Sequence, residues 1–262
     1  MIAILTFPLL LFVPAKAQRL RVPMGAELMY SREQAGLIGP VRTVVTVEKR
    51  DEGGFVRTFG TSAETYNLQG AAIEKISHSA DIEIHSGKLV RLDYTDIYVY
   101  DSAGKLSQMV TYDPDGSFRQ KLVFTYDGSG RLSEEKAYSR EGNLFSKSVY
   151  AYDSEKRTST MMLSIYIENR VIPSKSIFTY NAKGQWVKRL VYDSTGAVTD
   201  NTAFENDGRG NLIKETRYDK KGEPSYACNY SYKFDSRGNW IEKQDSCTRV
   251  VTFRVVTYYG DK

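Results

Sequence analysis

The sequence predicts an all-β protein, a long antiparallel meander coiled into a curved sheet, a half-pipe, or a spiral or barrel. Three observations carry this. A tyrosine recurs in one slot every 12 or 14 residues over most of the chain. Asp, Asn or Ser follows it by one residue and glycine by four. An apolar residue stands six residues after it, Thr158 excepted. Together they describe strand, tight turn and strand, repeated, for roughly 15–19 strands at that spacing.

In chain order, residues 1–17 read as a signal peptide. Ile2 to Val13 is almost wholly apolar but too short to span a bilayer as a helix. Ala15-Lys16-Ala17 then has the small-x-small pattern of a signal-peptidase site, although no Lys or Arg precedes the apolar run. The expected mature chain begins at Gln18. It is extracytoplasmic, periplasmic or secreted, and has no transmembrane anchor after cleavage. Residues 18–40, with Pro23, Gly25, Gly36, Gly39 and Pro40, read as an N-terminal arm with a short helix near Ser31-Arg32-Glu33-Gln34. Residues 41–262 read as one β domain whose clearest repeats span 95–245. Its first strand is Val41 to Lys49, with turns at Asp51-Glu52-Gly53-Gly54 and His85-Ser86-Gly87-Lys88.

The slot holds Tyr66, Tyr100, Tyr112, Tyr126, Tyr138, Tyr152, Tyr166, Tyr180, Tyr192 and Tyr218, with Asn206 and Phe234 in the same place. The glycines are Gly70, Gly104, Gly116, Gly130, Gly142, Gly184, Gly196, Gly210, Gly222 and Gly238. Asp or Asn opens a type I turn by bonding the backbone N–H groups ahead of it, and glycine supplies the left-handed residue that closes it. In Tyr126-Asp127-Gly128-Ser129-Gly130-Arg131-Leu132 the loop is 128–130. Asp127 then pairs with Arg131, and Tyr126 faces Leu132 across the hairpin. Even slot spacings are expected to keep every tyrosine on one face, turned inward. Two residues before the slot, Tyr98, Phe124, Tyr150, Phe178, Phe204 and Tyr232 recur every 26 or 28 residues. One edge of the sheet should therefore carry a double aromatic row. The turn pattern weakens at 153–170, where Lys156 and Arg170 occupy the glycine position.

YDGSGRL, YDSAGKL and YDSTGAV resemble the YD repeat of the bacterial RHS proteins and the related teneurins. The resemblance covers about residues 95–245 and implies an extracellular β strip that coils by strand pairs. In the large members that strip builds a shell around a toxin or other cargo, for which this chain is too short. Gly36-Leu37-Ile38-Gly39-Pro40-Val41 and Gly238-Asn239-Trp240-Ile241 are similar to segments of small exported bacterial YD-repeat proteins of unknown function.

Composition bounds the chemistry. The chain has 262 residues, 41% hydrophobic and 26% charged, with 36 basic and 32 acidic residues mixed to a net +4. That describes a folded chain without the dense basic run that nucleic acid requires. His78 and His85 have no zinc-motif spacing. No phosphate loop, G-x-S-x-G or H-E-x-x-H occurs, so no catalytic, cofactor or metal residues are assigned. Cys228 and Cys247 are the only cysteines, are expected to be oxidised to each other in a compartment that permits disulfides, and flank the turn at Asp235 to Gly238. A three-residue loop sets Cys228 opposite Ser246, one residue from Cys247. A four-residue loop or a bulge would bring the pair together. Charges on both faces of 131–138 speak against a membrane barrel. The expected function is an exported, non-enzymatic scaffold or binding module for a glycan, an envelope component or another protein. The alternative is an exported hydrolase of glycan or cell-wall substrate using clustered carboxylates.

Overall fold

The structure, a computed structural model, describes residues 35–51, 56–82, 89–167 and 170–261, with the backbone alone for 79–82 and 89–92. The signal peptide, its cleavage site, the helix near 31–34 and His85 lie outside the described residues, as do residues 52–54 and 85–88 of the first two expected turns.

Among the described residues sixteen strands form one antiparallel meander: β1 (Val41–Asp51), β2 (Val56–Tyr66), β3 (Ala72–Ile82), β4 (Leu89–Tyr100), β5 (Leu106–Tyr112), β6 (Phe118–Tyr126), β7 (Leu132–Tyr138), β8 (Leu144–Asp153), β9 (Thr158–Ile167), β10 (Arg170–Tyr180), β11 (Trp186–Tyr192), β12 (Val198–Asn206), β13 (Leu212–Tyr218), β14 (Pro224–Phe234), β15 (Trp240–Asp245) and β16 (Val250–Tyr258). Each strand pairs with its sequence neighbours, and β1 pairs with β16 from Thr43 opposite Thr257 to Arg50 opposite Val250. The sheet is therefore a closed barrel. Closure leaves no long edge of unpaired N–H and C=O groups to recruit another chain.

The turns are built as the residue types require. Asp127 N–H donates to the Arg131 carbonyl (2.8 Å) and Gly130 N–H to the Asp127 carbonyl (2.9 Å). The Asp127 carboxylate accepts from the N–H of Ser129 and of Arg131. Gly130 has φ 80°, where a Cβ is unfavourable. In the irregular stretch Arg157, at φ 51°, takes the left-handed position that glycine holds elsewhere.

The single-face expectation is overturned. Tyr126 pairs with Leu132, but the next pair is Thr125 with Glu134, so Ser133 is an extra residue, a bulge. Similar shifts follow most of the YD-type turns. A bulge changes the inward–outward alternation within its strand. Ala137 (4% exposed) and Thr111 (2%) are buried, which turns their neighbours Tyr138 and Tyr112 outward. By the same alternation Tyr166, Tyr192 and Tyr218 point out, while Tyr66, Tyr100, Tyr126, Tyr152, Tyr180 and Phe234 point in. The double aromatic row lies inside, at the rim carrying the turns of these inward residues.

At that rim the repeats are stitched together. Tyr126 Oη donates to the Leu106 carbonyl (2.8 Å) and Tyr152 Oη to that of Leu132 (2.9 Å), each twenty residues back. Asn206 Nδ2 does the same to Trp186 (2.9 Å) and Tyr232 Oη to Leu212 (2.8 Å). The 16-residue interval before Phe234 explains why Tyr232, not the slot residue, makes the last bond. Lys105 and Arg131 lie over the rings of Tyr126 and Tyr152 at 5.1 and 4.8 Å. Leu106, Leu132, Leu212 and Trp240 are buried beneath.

The β14–β15 bulge also decides the cysteines. Phe234 pairs with Trp240, but Lys233 then pairs with Glu242 and Tyr230 with Asp245. Continued, that register sets Cys228 opposite Cys247. The two are disulfide-bonded, with Cα atoms 5.5 Å apart. Replacing both with serine should lower stability by about 3 kcal/mol, since the bond closes a loop of roughly 20 residues. Urea unfolding with and without reductant measures it.

Candidate functional site

One rim of the barrel is closed. Ala35 and Leu37, 5% and 6% exposed, join the core cluster as the arm crosses this rim. Asn239 holds the arm: its Oδ1 accepts from Ile38 N–H (2.6 Å), and its Nδ2 donates to the Ile38 carbonyl (2.9 Å) and to Tyr258 Oη (2.6 Å). Beside the arm lies a cavity of about 530 Å3, lined by Ile38, Gln185, Gly208, Arg209 and Gly238.

Toward the opposite rim the inner wall changes character. Inward residues become exposed, Ile172 to 48% and Tyr226 to 41%. Charges replace leucines. Arg189 pairs with Asp200 at 2.9 Å, and Arg217 with Glu215 at 2.9 Å. Thr111 Oγ1 donates to the buried Asp96 (2.7 Å), whose pKa burial raises. Three tyrosines of this wall carry a cation over the ring: Tyr226 under Arg217 (5.3 Å), Tyr230 under Lys243 (4.5 Å) and Tyr94 under Arg119 (6.0 Å). Aromatic faces beside charged donors suit a polar ligand that offers both a ring face and hydrogen-bonding groups.

Glu135 faces inward between Phe124 and Ser148 on the neighbouring strands. Burial alone pushes its pKa up to about 7. The folded barrel therefore holds a proton there that the unfolded chain has released. Stability contributed by this group should be present below pH 4.5 and be lost as pH rises toward 7. Glu135→Gln should flatten that part of a stability–pH curve measured by thermal melting, while wild type falls across it.

The sequence-derived residues are placed as follows. Tyr66, Tyr100 and Tyr126 pack with the core cluster, the turn glycines take positive φ, and Cys228 and Cys247 are bonded to each other. Asp245 stands beside the cysteine pair, within 4.8 Å, but both sulfurs are committed to the disulfide. His78 ion-pairs with Asp93 (3.1 Å) on the outer face. Glu134 binds Lys136 and Lys147 on the outer wall of β7 and β8, a surface suited to water rather than lipid. Sequence reasoning did not single out Glu135, Arg189, Asp200, Lys243 or Arg254, because their inward direction depends on the strand register.

No family model matches the sequence, and no curated protein does. The barrel is similar to solved structures at low identity. A porin-like protein from Bacteroides uniformis is 13% identical over 84% of this chain and 99% of that one, with TM-score 0.41. A protein of unknown function from Bacteroides fragilis is 19% identical over 49% of this chain and 91% of that one, with TM-score 0.25. A putative outer membrane lipoprotein-sorting protein domain from Vibrio parahaemolyticus is 10% identical over 85% and 86%, with TM-score 0.25.

Proposed function

We propose that this chain is an exported, YD-repeat-type, non-enzymatic binding barrel that takes a glycan fragment of the envelope on its inner wall at the less packed rim. The observation that carries the reading is Tyr226, inward yet 41% exposed, with Arg217 over its ring. A ring left open beside a cation in a concave wall is suited to stacking a sugar. The disulfide supports an oxidising compartment. The hydrolase reading has weaker support. Burial alone shifts Glu135, and Asp96 feels Glu64 among acids rather than Glu135, so the two raised carboxyls do not act on each other.

Two measurements test it. N-terminal sequencing of exported protein should begin at Gln18; an intact Met1 on cytoplasmic protein would overturn the compartment. The mature chain should capture soluble envelope glycan fragments in a pull-down, and a Tyr226→Ala, Arg217→Ala variant should lose at least about tenfold, the scale of one good stacking contact. Unchanged capture by that variant, with loss in an outer-wall variant such as Val255→Lys, would place the ligand elsewhere.

A further inference from the structure

Arg254 is the least satisfied cation described. It points inward from β16, is 5% exposed, and lies over Trp240 with its guanidinium carbon 3.3 Å from the ring centroid. Its Nε and Nη1 have no hydrogen-bond partner. A buried guanidinium with orphan donors is costly to keep, and its ordinary remedy is a carboxylate within reach. Among the described residues none pairs with it. Glu64 accepts the Tyr66 hydroxyl (2.5 Å). Glu215 is held by Arg217. Asp245 accepts from the N–H of Cys247 and of Thr248 and from the Thr248 hydroxyl. Glu64 attracts Arg254 electrostatically, and Asp245, Glu48 and Glu215 attract Lys243, without an ion pair to either cation.

Lys243 is the second cation. It lies on the adjacent strand, β15, one step nearer the less packed rim, with its ammonium over Tyr230 and no ion pair among the described residues. The two cations are close enough to repel, which helps lower the pKa of Lys243 after burial, the larger cause. Arg254 falls to about 9 through burial and so stays charged at neutral pH. Two mutually repelling cations on adjacent strands, each resting on a ring and neither paired, form a site for a bound oxyanion.

We infer that Arg254 and Lys243 bind the carboxylate of an acidic sugar. Arg254 offers its unpartnered Nε and Nη1 donors, Lys243 closes the rimward side, and the Tyr230 ring borders the pyranose. This rests on the inner-wall reading above and narrows its ligand to acidic glycans.

The test is calorimetric titration of the mature protein with glucuronate, glucose, inorganic phosphate and acetate. Glucuronate should bind at least tenfold more tightly than glucose or phosphate. Lys243→Met should weaken it at least tenfold. Arg254→Lys keeps the charge but not the planar guanidinium donors and should weaken it comparably. A melting temperature near wild type for Lys243→Met separates lost binding from lost fold, should Arg254→Lys prove unstable. Equal binding of glucose and glucuronate, phosphate binding as tightly as glucuronate, or full glucuronate affinity in Lys243→Met would overturn the assignment. If glycan capture still depends on Tyr226 and Arg217 while glucuronate fails, the inner-wall reading stands and only the acidic-sugar inference falls.

Discussion

Tyr126→Ala should cost about 3 kcal/mol in urea unfolding, whereas Tyr138→Ala should cost less than about 1 kcal/mol. The two residues occupy the same slot in adjacent repeats, and a sequence rule would rank them equal. Tyr126 points inward: its ring packs against the core cluster beneath Lys105, and its hydroxyl reaches the Leu106 carbonyl at 2.8 Å. Tyr138 points outward beside Lys121, its cation partner at 5.9 Å. Removing the first opens a void and strands a carbonyl; removing the second frees a partly exposed ring. Equal midpoints for the two variants would mean that the bulges do not set the facing.

Asn239→Ala should destabilise by about 3 kcal/mol, because three hydrogen bonds to largely enclosed groups are lost together and their partners stay unsatisfied. Asn239 is fully buried and joins the arm at Ile38 to the last strand at Tyr258. Tyr258 in turn donates to Asp235 (2.6 Å), so the loss spreads to the turn that precedes Asn239. Asn239→Asp, which keeps the acceptor and removes both donors, should fall between wild type and alanine. Unfolding midpoints read against urea rank the three. An alanine variant as stable as wild type would mean that the arm is not held at the rim.

Much of the barrel was legible because turn chemistry is local. Asp127 and Gly130 declare a hairpin from their own backbone needs, and the aromatic period of 26 to 28 marks which turns share a rim. The facing of each residue was not legible, since it depends on Ser133 and its counterparts, and a bulge has no residue signature that spacing reveals. The pairing of Cys228 with Cys247 was legible from their number and place, but its register was not, and the bulge at Ile241 supplies it. The same blind spot hid the inner wall, because Arg254, Lys243 and Glu135 become neighbours of the lumen only once the register is known. The motifs around Ile38 and Asn239 were each visible, but their contact joins positions 201 residues apart, which no local reading supplies.

The two ends of the repeat meet at β1 and β16, and this closure creates the inner wall. Val45 of β1 and Val255 of β16 are paired across that seam, both on the outer surface. A Val45→Cys, Val255→Cys chain recovered from the oxidising compartment should carry a 45–255 disulfide beside the native 228–247 bond, because directly opposed residues bring their Cα atoms within about 4.5–5.5 Å, inside the span of a disulfide. Mass spectrometry of an unreduced digest reads this directly. Closure predicts the linked peptide in most molecules. Two free thiols at 45 and 255, with the native bond intact, would mean an open half-pipe or spiral and would contradict the barrel.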